Sequence, residues 1–136
     1  MKIWKTLSTK MLFENPWWSA HVDEFEIPGV TKGTYTYAIS NGSAVIIPID
    51  ADGKIVCVKQ YRYLAERFSL EFPGGGIKKE QVPEEAAHAE LAEEAGFHAD
   101  RMIHVGTVAP ILGFLKESEY VYVATDLQPT VAHKDD

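Results

Sequence analysis

Cysteine and long apolar runs are scarce in this 136-residue chain. Cys57 is the only cysteine, so no intramolecular disulfide can form, which fits a reducing cytoplasm. No apolar run approaches the roughly 18 residues that a membrane span needs. The N-terminal segment MKIWKTLSTK lacks the apolar core of a signal peptide. We therefore expect a cytoplasmic protein without a membrane partner.

Positive charge is also in short supply. The chain has 13 Lys and Arg residues against 20 Asp and Glu residues, which gives a formal net charge of -7. A nucleic-acid backbone requires clustered Lys and Arg, so we expect no nucleic-acid partner. A nucleotide substrate is still compatible with this charge, because a bridging metal ion supplies positive charge locally.

Strand-like patterns fill the N-terminal part of the chain. Residues 3–14 and 18–27 predict two strands around Asn15-Pro16, and residues 34–40 predict a third strand before the turn Asn41-Gly42. Residues 1–40 are short for a domain with its own core. We expect them to form a β ribbon that packs on the main body, residues 41–136, or on a second copy in a homodimer.

The main body begins with a predicted hairpin of residues 43–50 and 54–63. Its unbroken apolar runs predict strands buried on both faces, with Cys57 as a small core residue. Residues 102–108 and 120–125 predict two further strands. Strands, then a helix, then strands indicate an α+β fold or an α/β/α sandwich around a mixed sheet.

Residues 71–97, EFPGGGIKKEQVPEEAAHAELAEEAGF, join a short strand to a helix through a glycine turn. Pro83 suits the first helical position, and Gly96 suits the residue that follows the helix. Glu90, Glu93 and Glu94 stand at i, i+3 and i+4, so their side chains project from one side of the helix. A divalent cation would turn their mutual repulsion into binding. The alternative is a solvated acidic face.

The same stretch resembles the box of the Nudix hydrolase family, in which a glycine and a glutamate precede R-E-hydrophobic-x-E-E-x-G-hydrophobic. Gly75 starts the box here, and residues 89–97 close it. The resemblance implies the Nudix fold, an α/β/α sandwich with a mixed sheet, to which the N-terminal β ribbon is added. Two positions depart from the pattern, because Gln81 replaces the first glutamate and Ala89 replaces the arginine.

The resemblance also implies a reaction, the hydrolysis of the pyrophosphate bond of a nucleoside diphosphate derivative with Mg²⁺ or Mn²⁺ as the metal. The implied metal ligands are Glu90, Glu94 and the backbone carbonyl of Gly74. Glu93 is implied as a further ligand or as a partner of the ligands. Glu90 and Glu93 are implied as catalytic residues, together with Glu117 in the loop of residues 110–118.

Upstream, Gln60-Tyr61-Arg62-Tyr63 and residues 69–75 resemble one branch of the family, the ADP-ribose and nucleotide-sugar pyrophosphatases. This resemblance implies that the substrate is ADP-ribose or a nucleotide sugar, cleaved to a nucleoside monophosphate and a phosphorylated product. It implies that Arg62 faces the diphosphate, although a surface arginine is the alternative. Glu71 is then an acid near the site or a plain ion-pair partner.

Three more side chains have two interpretations each. Trp17 and Trp18 stack on the nucleobase, as the resemblance implies, or they pack in the core or a dimer interface. Glu117 helps to bind the substrate, or it is a solvated loop carboxylate.

The two departures in the box leave a second function open. Ala89 cannot pair with the acids of the box as the family arginine does, and Gln81 brings no charge. Glu80 could take the place of Gln81 if the loop shifts. The chain could therefore be a weak or inactive Nudix module that binds a nucleotide or a partner protein. Family members often carry the general base in an acidic loop that would begin here near residues 133–136.

Overall fold

The computed structural model describes residues 3–130, and the chain divides into two compact units. Among the described residues, the first unit comprises residues 3–41 and 109–117, and the second comprises residues 42–108 and 118–130. Among residues 3–130, none of the helical segments has the length and hydrophobicity of a transmembrane span.

The described residues form strands and one α-helix that follow one another along the chain. Their bounds are β1 Lys5–Glu14, β2 Trp18–Ile27, β3 Thr31–Ser40, β4 Ser43–Pro48, β5 Val58–Arg62, β6 Arg67–Glu71, β7 Gly74–Gly76, α1 Pro83–Glu90, β8 Phe97–Val108, β9 Leu115–Lys116 and β10 Glu119–Pro129.

The first unit is a sheet in the order β1-β2-β3-β9, in which β1, β2 and β3 are antiparallel and β9 runs parallel to β3. The predicted strands on either side of Asn15-Pro16 are confirmed. Asn15 closes the turn between them, since its Oδ1 accepts hydrogen bonds from the backbone N–H groups of Trp17 and Trp18, each at 2.8 Å.

The second unit contains the predicted mixed sheet, in the order β7-β4-β10-β8. Strands β4 and β10 are parallel, and the other neighbours are antiparallel. Helix α1 contacts β4, β7 and β8, and its buried Ala86 and Ala87 are small enough for close approach to the sheet. The buried cluster consists of Ala44, Ile46, Ile77, Ala86, Ala87, Leu91, Ala99, Tyr122 and Ala124.

The predicted hairpin between residues 43–50 and 54–63 is wrong beyond its turn. Asp50 begins the turn, but the two segments share only the bridge between Ile49 and Ile55 before they separate. Strand β5 pairs with β6 and not with β4. Ile55 is consequently 54% exposed, and Cys57 is exposed too, so the prediction that Cys57 is a core residue is wrong. The cytoplasmic location that we inferred from the single cysteine stays a prediction.

Candidate active site

The acidic helix follows the predicted pattern except in its last turn. Helix α1 begins at Pro83 with Glu84 and Glu85 in its first turn, where the positive end of the helix dipole favours anions. After Glu90 the chain widens into a π-helical turn, Leu91–Ala95, which ends at Gly96 with a left-handed φ of 73°. Gly96 therefore ends the helix as predicted. The sequence did not predict the π-helical turn, a feature that is frequent at functional sites.

The glycine turn is in direct contact with the first acid of the helix. A Cβ atom on Gly75 would overlap the Glu90 carboxylate and lie 2.6 Å from its Cδ atom. A Cβ on the neighbouring Gly76 would meet nothing within 4 Å. A residue with a Cβ at position 75 would therefore displace the Glu90 carboxylate from this space.

The last acid of the helix is held by the same turn. The backbone N–H of Gly74 donates a hydrogen bond of 2.9 Å to Oε2 of Glu94. Gly74 lies opposite Val45 on β4, and a Cβ on Gly74 would come within 2.5 Å of the carbonyl oxygen of Ala44. Glu94 is half-buried, whereas Glu93 is exposed. The glycine turn thus bonds one of the three carboxylates and leaves space for a second.

The environment of Glu90 disfavours its negative charge. Burial of this half-buried carboxyl group is the largest cause, followed by the negative charges of Glu94 and Glu93, and together they raise the pKa of Glu90 to about 7. The positive charge of Lys78 acts in the opposite direction, but it is the smallest of these effects. Sequence reasoning did not single out Lys78, and only its place just after the glycine turn could have indicated it.

The donor set fits a hard divalent cation. No three His, Cys, Asp or Glu side chains within residues 3–130 converge as a preformed metal cluster. Mg²⁺ does not need such a cluster, because it is usually bound through one or two carboxylates and keeps several waters. Glu90 and Glu94 supply two carboxylates, and the repulsion of Glu90 by Glu94 and Glu93 would favour the binding of a cation. Whether the carbonyl of Gly74 also binds the metal stays a prediction.

Arg62 and Glu71 are paired with each other on the hairpin of β5 and β6. Nε of Arg62 donates to Oε1 and Oε2 of Glu71 at 2.9 and 3.0 Å, and Nη2 donates to Oε2. These hydrogen bonds lower the pKa of Glu71, and the same contact together with the charge of Glu94 raises the pKa of Arg62. Arg62 is therefore attracted mainly to Glu71 and to a smaller extent to Glu94. Its contact with a diphosphate stays a prediction.

The two positions that depart from the Nudix pattern have different surroundings. Gln81 closes its own turn, since its Oε1 accepts from the backbone N–H of Lys78 at 3.0 Å and its N–H donates to the carbonyl of Lys78. Ala89 has no polar side chain. Glu80 is exposed and has a φ of 67°, which only a minority of non-glycine residues adopt.

Three predicted site residues belong to the first unit and not to the unit that carries the helix. Trp17 and Trp18 are exposed, so neither is a core residue of that unit. The ring centroids of Trp18 and Phe13 are 5.2 Å apart. Glu117 is half-buried and accepts a hydrogen bond of 2.7 Å from the Ser40 hydroxyl. It is therefore not a fully solvated carboxylate. Roles of these three residues in substrate binding or catalysis stay predictions, and residues 133–136 lie outside the described part of the chain.

Comparisons with known proteins agree with this geometry. A model of the NUDIX domain matches residues 40–136. The ADP-ribose pyrophosphatase of Bacillus subtilis is 28% identical over 123 residues, and the methanol dehydrogenase activator of Bacillus methanolicus is 32% identical over 123 residues. Each alignment covers 90% of this chain and 66% of the relative, so the chain spans slightly less than two thirds of their length.

A solved structure confirms the predicted fold class. The crystal structure of an ADP compounds hydrolase matches with a TM-score of 0.84 at 22% sequence identity. The match covers 98% of this chain and 72% of the other chain. The two proteins therefore share one fold, in which a helix packs against a mixed sheet.

The charge environment of Glu90 predicts a pH-dependent effect on the stability of the metal-free protein. Because its pKa rises from 4.5 in the unfolded chain to about 7 in the folded chain, Glu90 destabilises the fold progressively as pH rises through this range. We expect Glu90→Gln to raise the free energy of unfolding by about 1 kcal/mol above about pH 8. Solvent screening of the half-exposed group keeps this below the ~3 kcal/mol of the full shift.

Urea unfolding at several pH values, with chelator present, measures this effect. The gain should vanish below about pH 4, where Glu90 is protonated in both states. Glu85→Gln, which removes an exposed carboxylate from the first turn of the same helix, should give no gain at any pH. Equal gains for both variants would show that general helix charge, and not the environment of Glu90, is responsible.

Proposed function

This chain belongs to the NUDIX domain family, and we propose that it hydrolyses the pyrophosphate bond of a nucleoside diphosphate derivative in a divalent-metal-dependent reaction. The proposed substrate is ADP-ribose or a nucleotide sugar, with Mg²⁺ as the metal and Mn²⁺ as a substitute. The observation that carries this proposal is the arrangement of the glycine turn, in which the N–H of Gly74 bonds Glu94 and the space beside Gly75 accommodates the Glu90 carboxylate.

The residues of the second unit suit this reaction. Glu90 and Glu94 would hold the metal ion, which when bound neutralises phosphate oxygens and activates water. Glu93 is exposed on the same turn, so its carboxylate is free of the glycine contacts and available to accept a proton from the attacking water. Arg62 supplies a planar donor group for the oxygens of the diphosphate.

The relatives support the choice of substrate. The relative from Bacillus subtilis is named an ADP-ribose pyrophosphatase, and the matching crystal structure is that of an ADP compounds hydrolase. Both names describe molecules that contain an adenosine diphosphate group. We therefore expect ADP-ribose to be hydrolysed to AMP and ribose 5-phosphate.

Substitution of Glu94 tests the proposed activity. The Glu94→Gln variant keeps an oxygen that can accept the Gly74 N–H but loses the charge that binds a cation. We expect kcat for ADP-ribose hydrolysis to fall by at least about 100-fold, while the melting temperature of the metal-free protein does not fall. Chromatographic detection of AMP measures the rate, with Mg²⁺ or with chelator, over a panel that includes nucleotide sugars and dinucleoside polyphosphates.

Glu85→Gln is the matched control, because it removes an exposed helix carboxylate at a position that the Nudix pattern leaves undefined, and it should retain the wild-type rate. Parallel losses of melting temperature and activity in Glu94→Gln would show that Glu94 acts through folding alone. Wild-type turnover that is unchanged by chelator would contradict the metal dependence.

A second function is favoured by Gln81 and Ala89. Gln81 brings no charge, and Ala89 cannot pair with an acid of the box. The relative from Bacillus methanolicus is named an activator of another protein. The chain would then be a module that binds a nucleotide or a partner protein without catalysis. The same panel separates the two functions. A non-catalytic module would turn over none of the substrates, and its Glu94→Gln variant would bind nucleotide as well as the wild-type protein does.

The contact between Gly75 and Glu90 makes a further prediction about metal binding. Gly75→Ala should push the Glu90 carboxylate out of its place and weaken Mn²⁺ binding by about tenfold or more. Gly76→Ala is the matched control, since its Cβ would stand in open space, and its Mn²⁺ affinity should stay within about twofold of the wild-type value. Calorimetric titration with MnCl₂ measures both. Equal affinities in the two variants would contradict a role of the contact between Gly75 and Glu90 in metal binding.

We also propose that the chain is a homodimer in which the ribbon of residues 1–40 contacts the second copy. All ten residues of β1 are exposed, although they include Leu7, Met11, Leu12 and Phe13, and β1 is an edge strand of its sheet. An edge strand with this many apolar side chains is a ready surface for association.

Sedimentation equilibrium should therefore give twice the chain mass of 15.2 kDa. Leu7→Lys combined with Met11→Lys should shift the protein to a monomer, because two buried charges would lack partners. Leu112→Lys, which adds the same charge to an exposed loop of the same unit, should leave the dimer intact. A wild-type protein that sediments as a monomer contradicts the proposal.

A further inference from the structure

The β5–β6 hairpin places Arg62 and Glu71 on one face of two antiparallel strands. Arg62 is opposite Arg67, and Glu71 is opposite Val58 at the other end of the hairpin. Because alternate residues of a strand share a face, the side chains of Arg62 and Glu71 both project from the face that carries Ser69. The Arg62 side chain therefore lies along this face to reach Glu71.

Glu71 uses only one edge of the Arg62 guanidinium group. The hydrogen bonds from Arg62 come from Nε and Nη2, while the Nη1 donors are not used by Glu71. A guanidinium group has five N–H donors in a fixed plane. Hydrogen bonds on the Nε side therefore fix the orientation of the Nη1 donors. Half of the Arg62 side chain is exposed, against a quarter of the Glu71 side chain. The carboxylate is thus the more enclosed partner, and the arginine is the more accessible one.

A short stretch of chain connects the pair of Arg62 and Glu71 to the acidic helix. Glu71 ends β6, and the chain then passes through Phe72 and Pro73 to Gly74, whose N–H holds Glu94. The negative charge of Glu94 contributes to the raised pKa of Arg62. Arg62 and Glu94 therefore attract each other electrostatically, and Glu71 and Gly74 are three residues apart in the chain.

We propose that Glu71 is a positioning residue that holds the Nε side of Arg62, so that the Nη1 side is presented to the diphosphate of the substrate. This inference rests on the proposed function and specifies the role of Glu71, for which the sequence left open an acid near the site or a plain ion-pair partner. Direct contact of Glu71 with a diphosphate would bring like charges together. Holding Arg62 in advance lowers the conformational entropy that a long, exposed side chain loses when it binds.

A double-mutant cycle tests this role. Glu71→Gln should weaken ADP-ribose affinity about tenfold and raise KM with little change in kcat. In the Arg62→Ala background, the same substitution should change affinity by less than about twofold, because no arginine is left to position. Arg67→Ala is the matched control, since it removes an arginine from the same face, and it should leave affinity and KM unchanged.

Affinity is measured by calorimetry with ADP-ribose in the presence of chelator, and KM with Mg²⁺, so that the two proposals can fail separately. A wild-type protein that binds ADP-ribose without hydrolysing it contradicts the proposed function, while the affinities of the four cycle members still decide the role of Glu71. A protein that neither binds nor hydrolyses ADP-ribose overturns both proposals.

The charge-reversed pair, Arg62→Glu with Glu71→Arg, separates positioning from a structural role. It restores an ion pair on the same face, so the melting temperature should match that of the wild-type protein, but KM should remain as high as in Arg62→Ala. Recovery of the wild-type KM would overturn the proposal, as would equal effects of Glu71→Gln in both backgrounds. The Nε–H resonance of Arg62 should be slow to exchange with water in the wild-type protein and fast in Glu71→Gln. Equal exchange rates would show that Glu71 does not hold the arginine.

Discussion

The contact between two glycines and two carboxylates is the constraint from which the arrangement of the second unit follows. Gly74 can lie against β4 only because it has no Cβ, and its N–H then reaches Glu94. Gly75 leaves space that the Glu90 carboxylate occupies. The helix is consequently fixed to the glycine strand by its acids on one side and to the sheet by Ala86 and Ala87 on the other. Apolar packing alone would hold the helix, but it would not direct the acids.

This arrangement costs electrostatic free energy in the absence of a cation. Glu90 is half-buried beside two other carboxylates, and the nearby positive charge of Lys78 only partly offsets their repulsion. An arginine at the position of Ala89 would supply a fixed positive charge, and the chain has none there. Any counter-charge for the helix must therefore come mainly from outside the box, from Arg62 or from a bound cation.

The sequence predicts local features better than pairings between distant segments. Pro83 and Gly96 mark the ends of the helical segment because their effects are local: one lacks an N–H, and the other tolerates a positive φ. The pairing of β5, in contrast, is not predicted correctly by local sequence. The turn at Asp50 predicts a hairpin with β4, but the strands separate and β5 pairs with β6. Nothing local to Cys57 shows this, because strand pairing depends on where the rest of the sheet lies.

For the candidate site residues too, the sequence predicts local features better than contacts between distant segments. That the acids share one side of the helix follows from helical periodicity, whereas the ion pair of Arg62 with Glu71 depends on a hairpin register that only the fold reveals. Gln81 looks like a lost acid in the sequence, but its amide fastens the turn before the helix, a task for which an oxygen acceptor suffices. A neutral side chain at this position therefore does not by itself indicate a disabled site. The acids that contact the glycine turn are the more informative feature, since Glu90 is half-buried beside two other carboxylates at an electrostatic cost that a bound cation would offset.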